Sequence, residues 1–373
     1  RGFGFMLSDD GDIFIPSDKT LGAFGGDTVL VRITNCKSKT KRSEGEVVSV
    51  LKRETKFLVG TFSKSRNFGF VIPDDKRIKK DIFISKYKNM KVSDGDKVVC
   101  EITDYSSERK NPEGVICEIL GNINDKGVDV LSVIRQFNIR DEFGEDVISQ
   151  ADGIADEISL SEINMRRDFR NDTVITIDGA DAKDLDDAVG VKMCGDEYVL
   201  CVHIADVTHY VKENTPIDKE AFKRGTSVYF ADRVVPMLPQ KLSNGICSLN
   251  PRLDRLTLSV IMNIDKNGNV TNSEICEGVI RTKERMTYED VTKILDGDKS
   301  LCKKYEHILP DIYLMQTLSS ILKGKRIKKG SIDFDFPETK IELDENGRPI
   351  KISKREITAA NSIIEEFMLL CNK

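Results

Sequence analysis

Along residues 1–120 apolar and polar positions alternate in short runs broken by Gly, Asp and Asn. A period of two predicts half-buried β-strands joined by tight turns. The pattern occurs twice. Phe3-Gly-Phe5-Met6 is followed by Asp12-Ile-Phe14-Ile15, and Phe68-Gly-Phe70-Val71 by Asp81-Ile-Phe83-Ile84. Each copy then runs into Gly-Asp-x-Val, at Gly26 to Val29 and at Gly95 to Val98. Strand side chains repeat every two residues, so Phe-Gly-Phe sets two rings on one face and the next strand adds a third. Rings beside basic residues make a stacking platform for unpaired bases. A single triplet reads as the core of a small barrel. Two triplets with the same downstream Asp-Ile-Phe favour a single-strand-binding surface made of Phe3, Phe5, Phe14, Phe68, Phe70 and Phe83.

From residue 121 the period changes. Val128 to Phe137 has helical spacing, and charged helical sequence is expected to continue through Arg170. Beyond it, Tyr198 to Ala205 is a continuous apolar run and predicts a buried strand. Pro216 to Arg224 predicts a helix with Pro in its first turn and Gly225 past its end. Leu256 to Ile264 and Ser273 to Thr282 predict strands either side of an Asn267-Gly268 turn. Tyr288 to Leu295, Ile308 to Lys323 and Ile357 to Leu370 predict helices. The expected divisions are two small all-β modules at 1–50 and 51–120, a connector at 121–172, and a mixed α+β domain from 173 to 373.

Two apolar runs, Val174 to Ile177 and Ala188 to Met193, enclose five carboxylates in ten residues: Asp178, Asp181, Asp184, Asp186 and Asp187. Crowded like charges repel, and a short strand-to-strand loop cannot splay them apart. A hard divalent cation is the compensation that suits an oxygen-only cluster, Mg²⁺ first and Mn²⁺ as a substitute. Folding back the loop would turn Asp178, Asp184, Asp186 and Asp187 toward one point. Two cations ~4 Å apart could there hold an attacking water and a leaving oxygen on either side of one phosphorus. A calcium loop of the EF-hand kind is excluded, because counting from Asp178 its third and fifth positions are Ala180 and Ala182. A merely solvated acidic turn is disfavoured, because the flanking apolar strands place the loop at a sheet edge or cleft.

Composition narrows the class. A chain of 373 residues predicts two or three domains. No apolar run approaches the ~18 residues that span a bilayer, and no signal-peptide pattern opens the chain, so no membrane is expected. Nine scattered cysteines without a Cys-x-x-Cys pair, with only three histidines, argue against zinc and against a disulfide framework, and favour a reducing cytoplasm. The net charge of −5 is unevenly spread. Residues 1–120 hold 22 Lys and Arg against 18 Asp and Glu, and the remainder 35 against 44. A basic front and an acidic rear fit a phosphate-binding module joined to a metal-dependent catalytic one.

Five blocks taken together resemble the ribonuclease II/ribonuclease R family, with details closer to ribonuclease R. They are Thr176 to Val189, His203 to Val207, Arg224 to Phe230, Pro236 to Pro239 and Leu242 to Pro251. The likeness covers essentially the whole chain. It implies two cold-shock (OB-type) barrels, the first partial because its opening strand is missing, ahead of a mixed α+β RNB catalytic domain incomplete at its C-terminus. It implies a hydrolytic, processive 3′→5′ exoribonuclease that takes single-stranded RNA 3′ ends and releases nucleoside 5′-monophosphates. By position, Asp178, Asp184, Asp186 and Asp187 match the family's metal-binding and catalytic aspartates, with Asp186 the most critical to the chemistry. Tyr229 and Phe334 match the two aromatics that clamp the terminal bases. Glu366 matches a glutamate near the ribose, and Tyr288 another substrate-contacting tyrosine.

Each of these side chains also has a plainer role open to it. Tyr229 and Phe334 would serve as core, and Glu366 as part of a solvated helix face. His203, His209 and Asp206 are expected to be structural rather than metal ligands. The family carries an Arg-rich catalytic segment and an S1 domain beyond the position matching Lys373, so this segment alone is expected to be weak or inactive, and monomeric. Two other functions compete: a non-catalytic single-stranded RNA-binding protein using the cold-shock modules, and a metal-dependent phosphodiesterase acting on DNA or a small nucleotide.

Overall fold

In the computed structural model, residues 2–9, 11–35, 43–87, 90–105, 110–332, 338–354 and 356–373 are described. They fall into two compact units, residues 1–140 with 343–349, and 141–342 with 350–373.

The first unit holds both copies of the aromatic pattern. In the first, β1 (Gly4–Met6) pairs antiparallel with β2 (Ile13–Ile15), β3 (Thr28–Asn35) with β4 (Glu44–Lys52), and β2 meets β4 in parallel. The second copy reproduces this with β6 (Gly69–Pro73), β7 (Ile82–Ile84), β8 (Asp96–Asp104) and β9 (Glu113–Asn122), preceded by β5 (Phe57–Lys64). The register repeats residue for residue. Phe5 faces Phe14 as Phe70 faces Phe83, and Phe14 meets Glu44 as Phe83 meets Glu113. The copies differ in closure. β5 pairs with both β6 and β8 and shuts the second copy into a barrel. No described strand does so for the first copy, which is an open sheet in the order β1-β2-β4-β3. Closure builds the core: Phe62, Val71, Ile82, Ile84, Val98 and Cys100 are fully buried in the barrel, whereas the hydrophobic cluster of the open sheet, among the described residues, has Ile13, Ile15 and Val47 as its buried members. α1 (Val128–Gln136) packs on β5, β8 and β9 and belongs to this unit.

The second unit begins with α2 (Glu145–Asp152) and α3 (Leu160–Met165). The helical sequence expected through Arg170 stops short, because Arg167 and Asp168 form β10, paired with Gly278 and Val279. The expected connector is thus divided between the two units. There follow β11 (Ile175–Asp178), β12 (Asp187–Cys194), β13 (Glu197–Ala205), α4 (Val207–Tyr210), α5 (Pro216–Arg224), and the small hairpin β14 (Val228–Tyr229) and β15 (Val234–Val235). Next come β16 (Asp254–Ile264), β17 (Val270–Arg281), β18 (Glu284–Thr287), α6 (Tyr288–Leu295), α7 (Lys299–Lys304) and α8 (Leu309–Lys328). The chain finishes with the two-stranded β19 (Thr339–Leu343) and β20 (Pro349–Lys354), then α9 (Ala359–Cys371).

Seven strands form one sheet in the order β10-β17-β16-β13-β12-β11-β18. Both faces are covered, which is why β13 reads as an unbroken apolar run. Leu200 and Val202 join a core shared with Val291 and Ile294 of α6, Ile312 and Met315 of α8, and Ile363 and Phe367 of α9. Val199 and Cys201 point to the other core, with Val147 and Ala151 of α2 and Ile217 of α5. The expected turn between β16 and β17 is present. Gly268 takes φ +75°, and Asp265 Oδ1 accepts the N–H groups of Asn267 and Asn269 at 2.9 and 2.7 Å. Among the described residues no helix is long and apolar enough to cross a membrane.

Candidate active site at the acidic loop

Asp178 ends β11 and Asp187 begins β12, its antiparallel neighbour, so the acidic run is the loop joining them. Such a loop would fray under its own charge. It is held by its main chain and by Leu185. The Leu185 side chain is buried in the core, its N–H donates to Ser248 Oγ at 3.1 Å, and its carbonyl accepts from Leu249 N–H at 2.8 Å. Ser248 Oγ in turn donates to the Lys183 carbonyl at 2.8 Å, and Ala205 N–H to the Asp186 carbonyl at 2.9 Å. Ser248 and Leu249 belong to the block Leu242 to Pro251, which sequence reasoning marked without assigning any role within it. Arg255, buried and bonded to the Ser248 and Gly245 carbonyls, stiffens that block.

The carboxylates are thereby held partly out of water. Burial, followed by the nearby Asp187, lifts Asp178 to about 7, against a weaker opposing pull from Arg285. Burial and the neighbouring Asp184 and Asp187 lift Asp186 to about 6. Burial also raises Asp187. One oxygen of Asp178, Oδ2, is buried with no hydrogen-bond partner. Buried acceptors are seldom left so, and this one waits for a donor or a cation. Among the described residues no three acidic, His or Cys side chains are already gathered closely enough to hold a metal ion. The donor set nonetheless fits a hard cation in its chemistry: oxygen-only, charge-rich and partly desolvated.

Tyr229 is not core. Its ring is 63% exposed on the β14–β15 hairpin, and its hydroxyl donates to Asp184 Oδ2 at 2.5 Å. That bond, with burial second, raises the phenol to about 12. The base of the hairpin is tied by Arg224, which donates to the Pro236 carbonyl at 3.0 Å, and by Met237 N–H donating to Ser227 Oγ at 2.9 Å. Tyr288 opens α6, directly after Thr287, which is paired with Asp178, and packs against the main core. Glu366 does not lie on a solvated helix face. It is 3% exposed, and its Oε1 accepts from Arg326 Nε and Nη2 at 2.9 and 2.8 Å. Phe334 lies outside the described residues.

The remaining residues singled out by sequence fall into place. His203 is fully buried with Nδ1 2.8 Å from Ser259 Oγ, and burial lowers it to about 4. Asp206 caps α4 and pairs with Arg166 at 2.7 Å. Both make contacts within the fold, His203 with Ser259 and Asp206 with Arg166. In the other unit the six phenylalanines form two triads. Ring centroids lie 5.5–5.8 Å apart for Phe3, Phe5 and Phe14, and 5.6–5.8 Å for Phe68, Phe70 and Phe83. None is a buried core residue, and Phe3, Phe5 and Phe68 are 38–45% exposed.

Comparison with known proteins agrees with this organisation. Residues 166–373 match the RNB domain model, 70–144 the cold shock domain, and 1–50 the ribonuclease B OB domain. The chain is 42% identical to Ribonuclease R 1 of Lactococcus lactis over 100% of its own length and 47% of that protein. It is 43% identical to Ribonuclease R of Thermotoga maritima over 99% of its own length and 52% of that protein. The chain therefore spans about half the length of the curated relatives it matches. Mycoplasma genitalium RNase R, solved with ribose-methylated single-stranded RNA, superimposes with a TM-score of 0.90 at 27% identity, over 99% of this chain and 59% of that one.

Proposed function

This chain belongs to the RNB family of ribonuclease R-like proteins, and from that membership we propose that it carries the cleavage centre of a hydrolytic, processive 3′→5′ exoribonuclease. The observation that carries the reading is the acidic loop: four aspartates on one strand-to-strand connection, Asp178 with a buried, unpartnered oxygen, and an exposed tyrosine ring bonded to Asp184. Asp178, Asp184, Asp186 and Asp187 would hold Mg²⁺, or Mn²⁺ in its place. When bound, the cation supplies charge neutralisation at the scissile phosphate and acidifies an attacking water.

The chain's own residues do the rest. Asp178 and Asp187, at two strand ends, would be the direct ligands, while Asp186, on the loop, would be the residue on which chemistry most depends. Tyr229 would present its ring to the terminal base, with Phe334 the second aromatic that the family resemblance assigns to the clamp. Stacking tolerates any base, as an enzyme that degrades RNA without regard to sequence requires. Tyr288 and Glu366 would complete the substrate contacts, Glu366 near the ribose; its carboxylate is buried and paired with Arg326. The two phenylalanine triads bind single-stranded RNA upstream, and the RNA-bound relative supports that ligand class. The scattered cysteines support a reducing, cytoplasmic setting, with the protein acting as a monomer.

The triads also support a second reading, a non-catalytic RNA-binding protein, since they are built without help from the acidic loop. All four aspartates are present, which speaks for chemistry. The test is 5′-labelled RNA incubated with the complete protein and Mg²⁺. Shortening from the 3′ end, with mononucleotide release, is expected, and Asp186→Asn should abolish it while RNA binding persists. Internal cleavage products, or full activity in the variant, would refute the proposal. Equal turnover of a deoxyribose substrate would favour a general phosphodiesterase, because RNA preference needs contacts to the 2′-hydroxyl.

A further inference from the structure

Arg285 lies in none of the five sequence blocks, yet it spans the first half of the acidic loop. It sits on β18, whose parallel register with β11 sets Thr176 opposite Arg285 and Asp178 opposite Thr287. From there Nη2 donates to three main-chain carbonyls of the loop: Gly179 at 3.5 Å, Ala180 at 2.9 Å and Ala182 at 2.6 Å. Ala182 N–H closes the same turn onto the Gly179 carbonyl at 3.2 Å. These side-chain bonds end on main-chain oxygens, so every carboxylate oxygen of the loop is left unoccupied by Arg285. The second half of the loop has its own anchors at Ser248, Leu249 and Ala205. The Gly179 to Ala182 stretch relies on this guanidinium.

The chemistry suits the task. Carbonyl oxygens carry partial negative charge and converge where the chain curls, next to a run of carboxylates. A planar, permanently charged guanidinium can bridge several of them, whereas a lysine ammonium is a single point of charge. Arg285 Nε is buried without a partner, so the group is committed to the loop through its Nη2 edge.

We propose that Arg285 is the positioning residue of the acidic loop, curling residues 179–182 so that Asp178 on one side and Asp184, Asp186 and Asp187 on the other can serve one divalent-cation site. This rests on the metal reading above and goes beyond it by naming what shapes the site without touching the metal. The test uses the full chain as wild type, Arg285→Gln and Arg285→Lys. Mn²⁺ affinity is read by calorimetry, loop order by amide hydrogen exchange, and binding of a fluorescent single-stranded RNA in EDTA. Loss of such an outer support weakens metal binding by roughly 10–100-fold, and that range is expected for Arg285→Gln, with Arg285→Lys intermediate. Exchange should quicken at residues 179–182 while β12 and β13 stay protected, and RNA affinity should hold within about twofold, since the Arg285 side chain bonds the loop backbone rather than the phenylalanine triads. Unchanged Mn²⁺ affinity in Arg285→Gln would overturn the assignment. So would loss of protection across the whole sheet, which marks a merely structural arginine; if the Gln variant does not fold, Arg285→Lys decides by the same readouts. A wild type that takes up no Mn²⁺ would instead remove the metal reading, and this assignment with it.

Discussion

The phenylalanine triad appears twice with ring separations of 5.5–5.8 Å, on an open sheet and on a closed barrel alike. The acidic loop appears once, and its carboxylates are held where water is scarce. Each triad is built within its own copy, around one antiparallel strand pair, and leaves its rings partly exposed. The loop needs Leu185, Ser248, Leu249, Ala205 and Arg285 together, and it holds Asp178 and Asp186 against their own preference to ionise. Triads should therefore behave as separable parts, and the loop as one unit whose function is set against stability.

The largest expected effect tests that unity. In the complete protein Asp186→Asn should cut RNA turnover by on the order of 10³-fold, a loss typical of removing one electrostatic stabiliser of the transition state. Adding Asp184→Asn should take away little more, because residues acting as a unit do not add. Single-turnover rates on a 5′-labelled oligonucleotide measure both, and losses that multiply would break the contrast.

Next in size is the stability held against function. Asp178 titrates near 7 in the fold and near 3.8 when unfolded. Between those values the folded state binds the extra proton, so its stability falls as pH rises from about 4 to about 7. Asp178→Asn escapes that penalty. Allowing for residual solvent around the group, it should be ~2–4 kcal/mol more stable than wild type at pH 8, with no advantage at pH 4. Thermal unfolding at the two pH values measures this. Added Mg²⁺ should raise the wild-type midpoint more than the variant's.

The triads should lose less per change, and additively. Phe5→Ala and Phe70→Ala should each weaken single-stranded RNA binding by ~1–3 kcal/mol, the worth of one stacked base. The double variant should match the sum within ~0.5 kcal/mol. Fluorescence anisotropy at fixed salt decides it, and strong coupling would mean that the two copies act as one surface. Smallest is Tyr229→Phe, which keeps the ring and frees Asp184. Mn²⁺ should bind tighter by less than ~1.5 kcal/mol, the net worth of one hydrogen bond, with RNA affinity unchanged.

Much of this was legible locally. The period of two placed the rings of each triad on one face, and the observed Phe5–Phe14 and Phe70–Phe83 pairs follow from it. The helix at Tyr288–Leu295 and the Asp265–Asn269 turn were likewise marked by their own residues. Misreadings arose where a partner distant in sequence decides. The plainer alternative for Glu366, a solvated helix position, fails because Arg326 folds against it from 40 residues away. Arg167 and Asp168 continue a charged helical stretch until β17 captures them as a strand. Nothing near Arg285 signals that its guanidinium reaches carbonyls more than 100 residues upstream.

The sequence by itself determined which groups are present and how neighbours are spaced: the two aromatic triplets, the apolar strands and the four aspartates between them. Those depend on backbone period and local turn chemistry, which act over a few residues. Only the tertiary structure decided that β5 shuts the second β-module, that Glu366 is buried, and that the acidic loop is held by Ser248, Leu249, Ala205 and Arg285. Strand closure, desolvation and long-range hydrogen bonds join segments separated by tens of residues, and no local pattern carries their outcome.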